Sequence, residues 1–136
     1  MTKYILAAED NVADQVLLET AFKVKGYEEK IAFVSNGTEL ITFLQNSRNN
    51  LPIFILLDLN MPQKDGLQTL KEIKEDVAFK NIPVNIFSVA SGRHEISSCY
   101  ESGANSYIVK PGSFDGLLQA VEDIYNYWIL TSATSE

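Results

Sequence analysis

Ile53-Phe54-Ile55-Leu56-Leu57-Asp58 runs large apolar residues without a break into a carboxylate. A strand wetted on one face alternates apolar with polar residues. An unbroken apolar run bounded by turn residues instead suits a strand covered on both faces, as in a parallel sheet. An ionised carboxylate is costly to bury without partners, so Asp58 marks the lip of that strand, where a ligand would meet it.

The same pattern recurs on either side. Tyr4-Ile5-Leu6-Ala7-Ala8 is an apolar run ending at Glu9-Asp10, and Asp10 or Asn11 offers a cap for the helix that follows. There Ala13, Leu17, Ala21 and Val24 recur at helical spacing, Leu18 and Phe22 widen the stripe, and Gly26 ends it. Lys30 to Val34 reads as a second strand. Ser35-Asn36-Gly37 opens a second helix with Leu40, Ile41, Phe43 and Leu44 facing inward, and a polar stretch from Gln45 to Asn50 leads into the central run. Beyond Asp58, the loop Met61 to Gly66 precedes a third helix carrying Leu67, Leu70, Ile73 and Val77. Ile82-Pro83 introduces a strand, Val84 to Phe87, ending at Ser88. A short helix from Arg93 to Ser102 closes at Gly103, Tyr107-Ile108-Val109 forms a fifth strand before Lys110-Pro111, and a last helix runs from Phe114 to Leu130. Strands alternating with helices predict a doubly wound α/β domain with a five-stranded parallel sheet and five helices. It is expected to span 1–130, with 131–136 a disordered tail.

Composition narrows the function. The chain has 136 residues, enough for one buried core. Its formal net charge of −7, without a Lys/Arg cluster, argues against a nucleic-acid partner. No window of about 18 apolar residues exists to span a membrane. Met1-Thr2-Lys3-Tyr4 lacks the pattern of a cleaved leader, and the single cysteine, Cys99, cannot form an internal disulfide, so a reducing cytoplasm is expected.

The polar residues fall at the strand ends: Glu9 and Asp10 after the first, Asp58 after the third, Ser88 at the fourth and Lys110 after the fifth. In an open parallel sheet these ends share one edge, where ligands bind at the topological switch point. Two carboxylates about 4 Å apart repel by roughly 4 kcal/mol at an effective dielectric near 20, so three in one cleft require a cation or raised pKa values. Hard oxygen donors suit Mg²⁺ together with phosphate oxygens. Lys110 adds a positive charge and Ser88 a hydroxyl, which makes a phosphoryl-transfer site with Asp58 as nucleophile. Taken singly, each residue has a blander reading: Glu9-Asp10 as a helix cap, Lys110-Pro111 as a loop start, Ser88 as an unremarkable strand end. Their joint placement on one edge carries the inference.

These residues resemble the receiver domain of two-component response regulators along nearly the whole chain. The resemblance runs through Ala8-Glu9-Asp10-Asn11, Leu57-Asp58-Leu59-Asn60-Met61-Pro62 with Asp65-Gly66, Ile82-Pro83-Val84 leading to Ser88, and Tyr107-Ile108-Val109-Lys110-Pro111, with similar spacing from Asp58 to Ser88 and from Ser88 to Lys110. It implies a flavodoxin-like sheet of order 2-1-3-4-5. It also implies Asp58 as phosphoacceptor, and Mg²⁺ held by Asp10, Asp58 and the Asn60 backbone carbonyl, with Glu9 acting through a metal-bound water. Ser88 and Lys110 would touch the phosphoryl oxygens. Tyr107 would be the aromatic that changes rotamer as Ser88 moves, and the Lys110-Pro111 bond would be cis. The implied partners are a sensor histidine kinase and, through the face formed by helix 4, strand 5 and helix 5, a homodimer mate or a downstream protein. No enzymatic activity is expected beyond its own phosphoryl transfer and dephosphorylation.

Some positions depart from the family pattern. Glu9 replaces the first Asp of the acidic pair. Val89 stands where a small residue is usual, and would shield the phosphoryl group from water. Gly112-Ser113 stands where an aromatic often sits, with Phe114 the nearest substitute. The polar stretch before Leu51 and the Tyr127-Trp128 pair are similar to regulators associated with bacteriophytochromes.

Other functions fit less well. A haloacid-dehalogenase-type phosphatase would want a second Asp where Asn60 stands. A flavodoxin-like FMN carrier would need a Gly- and hydroxyl-rich phosphate loop where Glu9-Asp10 stands. A pseudo-receiver scaffold without phosphorylation is the remaining alternative. His94, the only histidine, reads as a surface residue, and Cys99 as packing without a redox role. In the last helix, Leu117, Val121, Ile124 and Trp128 form one apolar stripe and Leu118, Tyr125 and Ile129 another. Either both pack on the core, or one is an interface.

Overall fold

The computed structural model describes residues 3–61, 65–89 and 91–131. Of the expected tail at 131–136, Thr131 instead closes the last helical turns, and 132–136 lie outside the described residues, as do Pro62, Gln63 and Lys64.

Five parallel strands, β1 (Ile5–Ala8), β2 (Ile31–Val34), β3 (Phe54–Leu57), β4 (Val84–Ser88) and β5 (Ser106–Val109), form one sheet in the order β2-β1-β3-β4-β5. Helices α1 (Val12–Val24), α2 (Gly37–Asn46), α3 (Gly66–Glu75), α4 (Arg93–Glu101) and α5 (Phe114–Ile124) connect or follow them. Because successive side chains point to opposite faces, the strands feed two cores. Leu6, Ile55, Leu57, Val84 and Ile86 meet Leu40 and Leu44 of α2, Leu70 and Ile73 of α3, and Cys99 of α4. Ile5, Ala7, Phe54, Leu56 and Phe87 meet Leu18, Ala21 and Phe22 of α1, and Val121 and Ile124 of α5. The unbroken apolar run of β3 is thus covered on both sides.

Helix starts follow local chemistry. Asn11, Asn36, Asp65 and Ser113 each accept a hydrogen bond from a backbone N–H of the first turn, at Asp14, Glu39, Gln68 and Gly116. The cap of α1 is Asn11, not Asp10, which leaves the Asp10 carboxylate free of the helix start.

Three expectations change. The inward stripe of α1 is Leu18, Ala21 and Phe22, whereas Leu17 is 47% and Val24 59% exposed. Of the predicted row only Ala21 faces the sheet, beside the two widening residues Leu18 and Phe22, while Ala13, Leu17 and Val24 are exposed. Val77 lies past the end of α3 at Glu75 and is exposed. The last helix continues from α5 through wider π-helical turns over Tyr125–Thr131. The wider turn rotates Tyr125, Trp128 and Ile129 onto the second core. Tyr125 stacks on Tyr27 at 3.6 Å between ring centroids, and Trp128 packs against Phe54 at 5.1 Å. Both apolar stripes therefore pack inward.

Candidate functional site

Strand register assembles the site. Ala8 pairs with Leu57, Leu57 with Ile86, and Ser88 with Val109. The residues at or just past these positions are Glu9, Asp58, Ser88 and Lys110. The ladder continues to pin their backbones: Asp58 N–H donates to Ala8 O at 3.2 Å, Glu9 N–H to Val34 O at 3.0 Å, and Lys110 N–H to Ser88 O at 2.9 Å.

Carboxylate oxygens of Glu9, Asp10 and Asp58 all lie within 4.8 Å of one another. Glu9 and Asp58 are buried, and Asp10 is half-buried. The Lys110 ammonium donates to Glu9 Oε1 at 2.5 Å, to Asp58 Oδ2 at 3.2 Å and to Asp14 Oδ2 at 3.4 Å. The other oxygens are also engaged: Asn60 N–H donates to Asp58 Oδ1 at 3.1 Å, and Asn11 N–H to Glu9 Oε2 at 3.2 Å. The stem of Lys110 leaves its Nζ 5.9 Å from the centroid of the Phe87 ring.

Burial and neighbouring charge both show in the proton affinities. Burial pushes the Glu9 carboxyl up to about 7, and the adjacent Asp58 adds to the rise while Lys110 opposes it. Burial pulls the Lys110 ammonium down, but the Glu9 and Asp58 carboxylates outweigh it and hold the group above its ordinary value. Burial likewise raises the Tyr107 hydroxyl, against a hydrogen bond with Ser88. Tyr107 thus faces Ser88, which is fully buried, and packs on the first core.

The acid, hydroxyl and amine residues expected at one rim are together there. Asn60 contributes its N–H to Asp58. Among the described residues no peptide bond is cis, so Lys110-Pro111 is trans, the form that even X-Pro bonds prefer by about 0.5–1 kcal/mol. His94 is exposed and Cys99 buried, as expected. The contact that sequence reading missed is Asp14. Asp10 precedes the Asn11 cap and so lies off the helix, and the contact between Asp14 and Lys110 joins residues 96 apart in the chain, which no local pattern signals.

Asp65 caps α3 and Gly66 sets it against the loop that follows β3. A Cβ at Gly66 would run into the backbone at Asp58 O and Leu59 Cα, so only glycine lets α3 start this close to that loop.

Comparison with known proteins agrees with this geometry. A family model described as the response regulator receiver domain matches residues 5–122. The chain is 33% identical over 128 residues to the probable methanogenesis regulatory protein FilR2 of Methanothrix harundinacea, covering 92% of this chain and 83% of that one. It is 32% identical over 133 residues to the response regulator Rcp1 of a Synechocystis species, covering 95% and 90%. Among solved structures, the phosphorylated cyanobacterial phytochrome response regulator RcpA superposes with a TM-score of 0.89 at 34% identity, covering all of both chains. The Mn²⁺-bound form of Rcp1 superposes with a TM-score of 0.86 at 31% identity, covering 99% of this chain and 100% of that one. Among the described residues no helix is long and apolar enough to cross a membrane. With its sheet order, its acidic rim and its lysine in place, the chain belongs to the response regulator receiver domains of two-component signalling.

Proposed function

We propose that the domain over residues 1–130 is a phosphorylation switch in which Asp58 accepts a phosphoryl group from a sensor histidine kinase. The observation that carries this reading is the Lys110 ammonium lying between Glu9 and Asp58 at 2.5 and 3.2 Å beside a carboxylate trio. A carboxylate so placed is a nucleophile whose attack is guided by fixed charge. The phosphoryl donor's bond to phosphorus breaks as an Asp58 oxygen bonds to it, and the leaving group departs with the electron pair.

The donor set suits a hard divalent cation. Three carboxylates within 4.8 Å are oxygen ligands of the kind Mg²⁺ takes, and the likeness to Mn²⁺-bound Rcp1 supports a metal here. Asp10, Asp58 and the Asn60 carbonyl would hold Mg²⁺ directly and Glu9 through a water. When bound, the ion neutralises charge on the transferring phosphoryl oxygens. Lys110 exchanges its Asp58 contact for a phosphoryl oxygen, Ser88 donates its hydroxyl to another, and Tyr107 follows Ser88. The chain catalyses this transfer and its own dephosphorylation, and no other reaction.

The switch is read by a protein through α4, β5 and α5 with its π-helical continuation, where Tyr100, Val109, Phe114 and Tyr127 are exposed. A homodimer mate would use the same face. Nucleic acid and membrane are not partners, and the site of action is the cytoplasm. The likeness to RcpA and Rcp1 supports a phytochrome-class kinase as the donor.

Incubation with acetyl phosphate and Mg²⁺, read by intact mass, tests the reading. One phosphoryl adduct is expected, absent in Asp58→Asn and absent without metal. An unmodified wild-type chain would leave only the pseudo-receiver scaffold.

A further inference from the structure

Lys110 has three ammonium protons and three carboxylate partners, Glu9, Asp58 and Asp14. Two of those partners belong to the carboxylate trio. Asp14 does not: it stands on α1, one turn beyond Asp10, and is 43% exposed on its side chain. Its backbone N–H is held by the Asn11 cap at 3.0 Å, so the carboxylate is carried by the capped first turn of the helix. Together with Leu17, Leu18, Phe87, Pro111 and Leu117 it lines a small cavity on the α1 side of Lys110.

From this arrangement we infer that Asp14 is a positioning residue that draws the Lys110 ammonium toward α1 and away from the group transferred to Asp58, so that it slows phosphoryl transfer. The inference rests on Asp58 being the phosphoacceptor. A cation occupying the trio engages Glu9, Asp10 and Asp58 and weakens the hold of Glu9 and Asp58 on Lys110. Asp14 is outside that trio and keeps its pull. The ammonium is then shared between Asp14 and the incoming phosphoryl oxygens, and the charge it delivers to the transition state is reduced. Water screens the partly exposed Asp14, so the effect is modest.

The transfer concerned balances simply. With acetyl phosphate, an Asp58 oxygen bonds to phosphorus, the bond from phosphorus to the acetyl oxygen breaks, and acetate leaves with the electron pair.

The test compares wild type, Asp14→Asn, Lys110→Gln and the double variant at saturating Mg²⁺. The initial rate of adduct formation is followed by intact mass over a range of acetyl phosphate. Asp14→Asn is expected to raise the saturated rate roughly threefold to fivefold in the Lys110 background and not at all in Lys110→Gln. An equal rise in both backgrounds would mean general repulsion of the anionic donor, and overturns the proposal. So does a change confined to the KM for acetyl phosphate, or no rise. The Lys110 ¹⁵Nζ resonance of the metal-free protein reports the ion pair without any phosphorylation, and an unmoved resonance in Asp14→Asn overturns it as well. A wild-type chain that takes up no phosphoryl group instead removes the phosphoacceptor reading itself, and the proposal with it. That outcome is distinct from a phosphorylated wild type that is indifferent to Asp14.

Discussion

Lys110 is bound more closely to Glu9 than to Asp58, at 2.5 Å against 3.2 Å. The lysine therefore serves first as counter-ion to Glu9 and only second as partner of Asp58. Burial raises Glu9 to about 7, so near neutral pH the carboxyl exchanges a proton that a divalent cation must displace.

Metal binding should follow that proton. Below pH 7 the apparent affinity for Mg²⁺ should fall by up to about tenfold per pH unit, and above it the dependence should flatten. Calorimetric titration across pH checks this. In Glu9→Gln the slope over that range should vanish, and a slope that persists there would assign the proton elsewhere.

Asp10 is the member of the trio that no described ion pair compensates, since Lys110 reaches Glu9, Asp58 and Asp14. Asp10→Asn relieves repulsion and should stabilise the metal-free domain by about 1 kcal/mol. The same change should abolish most of the rise in Tm on adding Mg²⁺. Thermal unfolding with and without the ion reads both, and a variant less stable than wild type in the absence of metal contradicts the account.

Gly66→Ala would drive a methyl group into backbone atoms of Asp58 and Leu59. Backbone cannot swing aside as a flexible side chain does, so a loss of about 2 kcal/mol or more is expected, with slower phosphorylation because the acceptor loop must shift. Denaturant unfolding measures the first and acetyl phosphate labelling the second. Gly112→Ala, where a Cβ meets no atom within 4 Å, is the control expected to change neither.

Val89 follows the fully buried Ser88 and is itself 66% exposed. A branched side chain next to Ser88 is expected to shield a phosphoryl group on Asp58 from water, so Val89→Ala should speed loss of that group by about twofold. Decay of the adduct after acetyl phosphate is removed gives the rate, and an unchanged rate would assign Val89 no shielding role.

Much of this molecule was legible in its linear order of residues. The apolar run into Asp58 implied a strand buried on two faces, and the recurrence of polar residues at the strand ends implied one shared rim. Both follow from local chemistry: β3 has no polar side for water, and a parallel sheet aligns its strand ends by construction. The capping stretches, Asp10 or Asn11 and Ser35-Asn36-Gly37, were readable for the same reason, since a cap is satisfied within a few residues, and the structure selects Asn11 and Asn36.

Distance and rotation were not legible. Whether Leu17 or Leu18 of α1 faces the sheet depends on how the helix settles against Phe54 and α5, and both residues lie within the breadth of a helical apolar stripe. The π-helical turns that bring Tyr125 onto Tyr27 and Trp128 onto Phe54 come from packing with partners far away in the chain. Above all, linear order names Glu9, Asp14, Asp58 and Lys110 without ranking their contacts. The ranking arises because Lys110 enters from β5 and meets three carboxylates carried by β1, α1 and β3 at once, and only folding sets the lengths over which those charges attract.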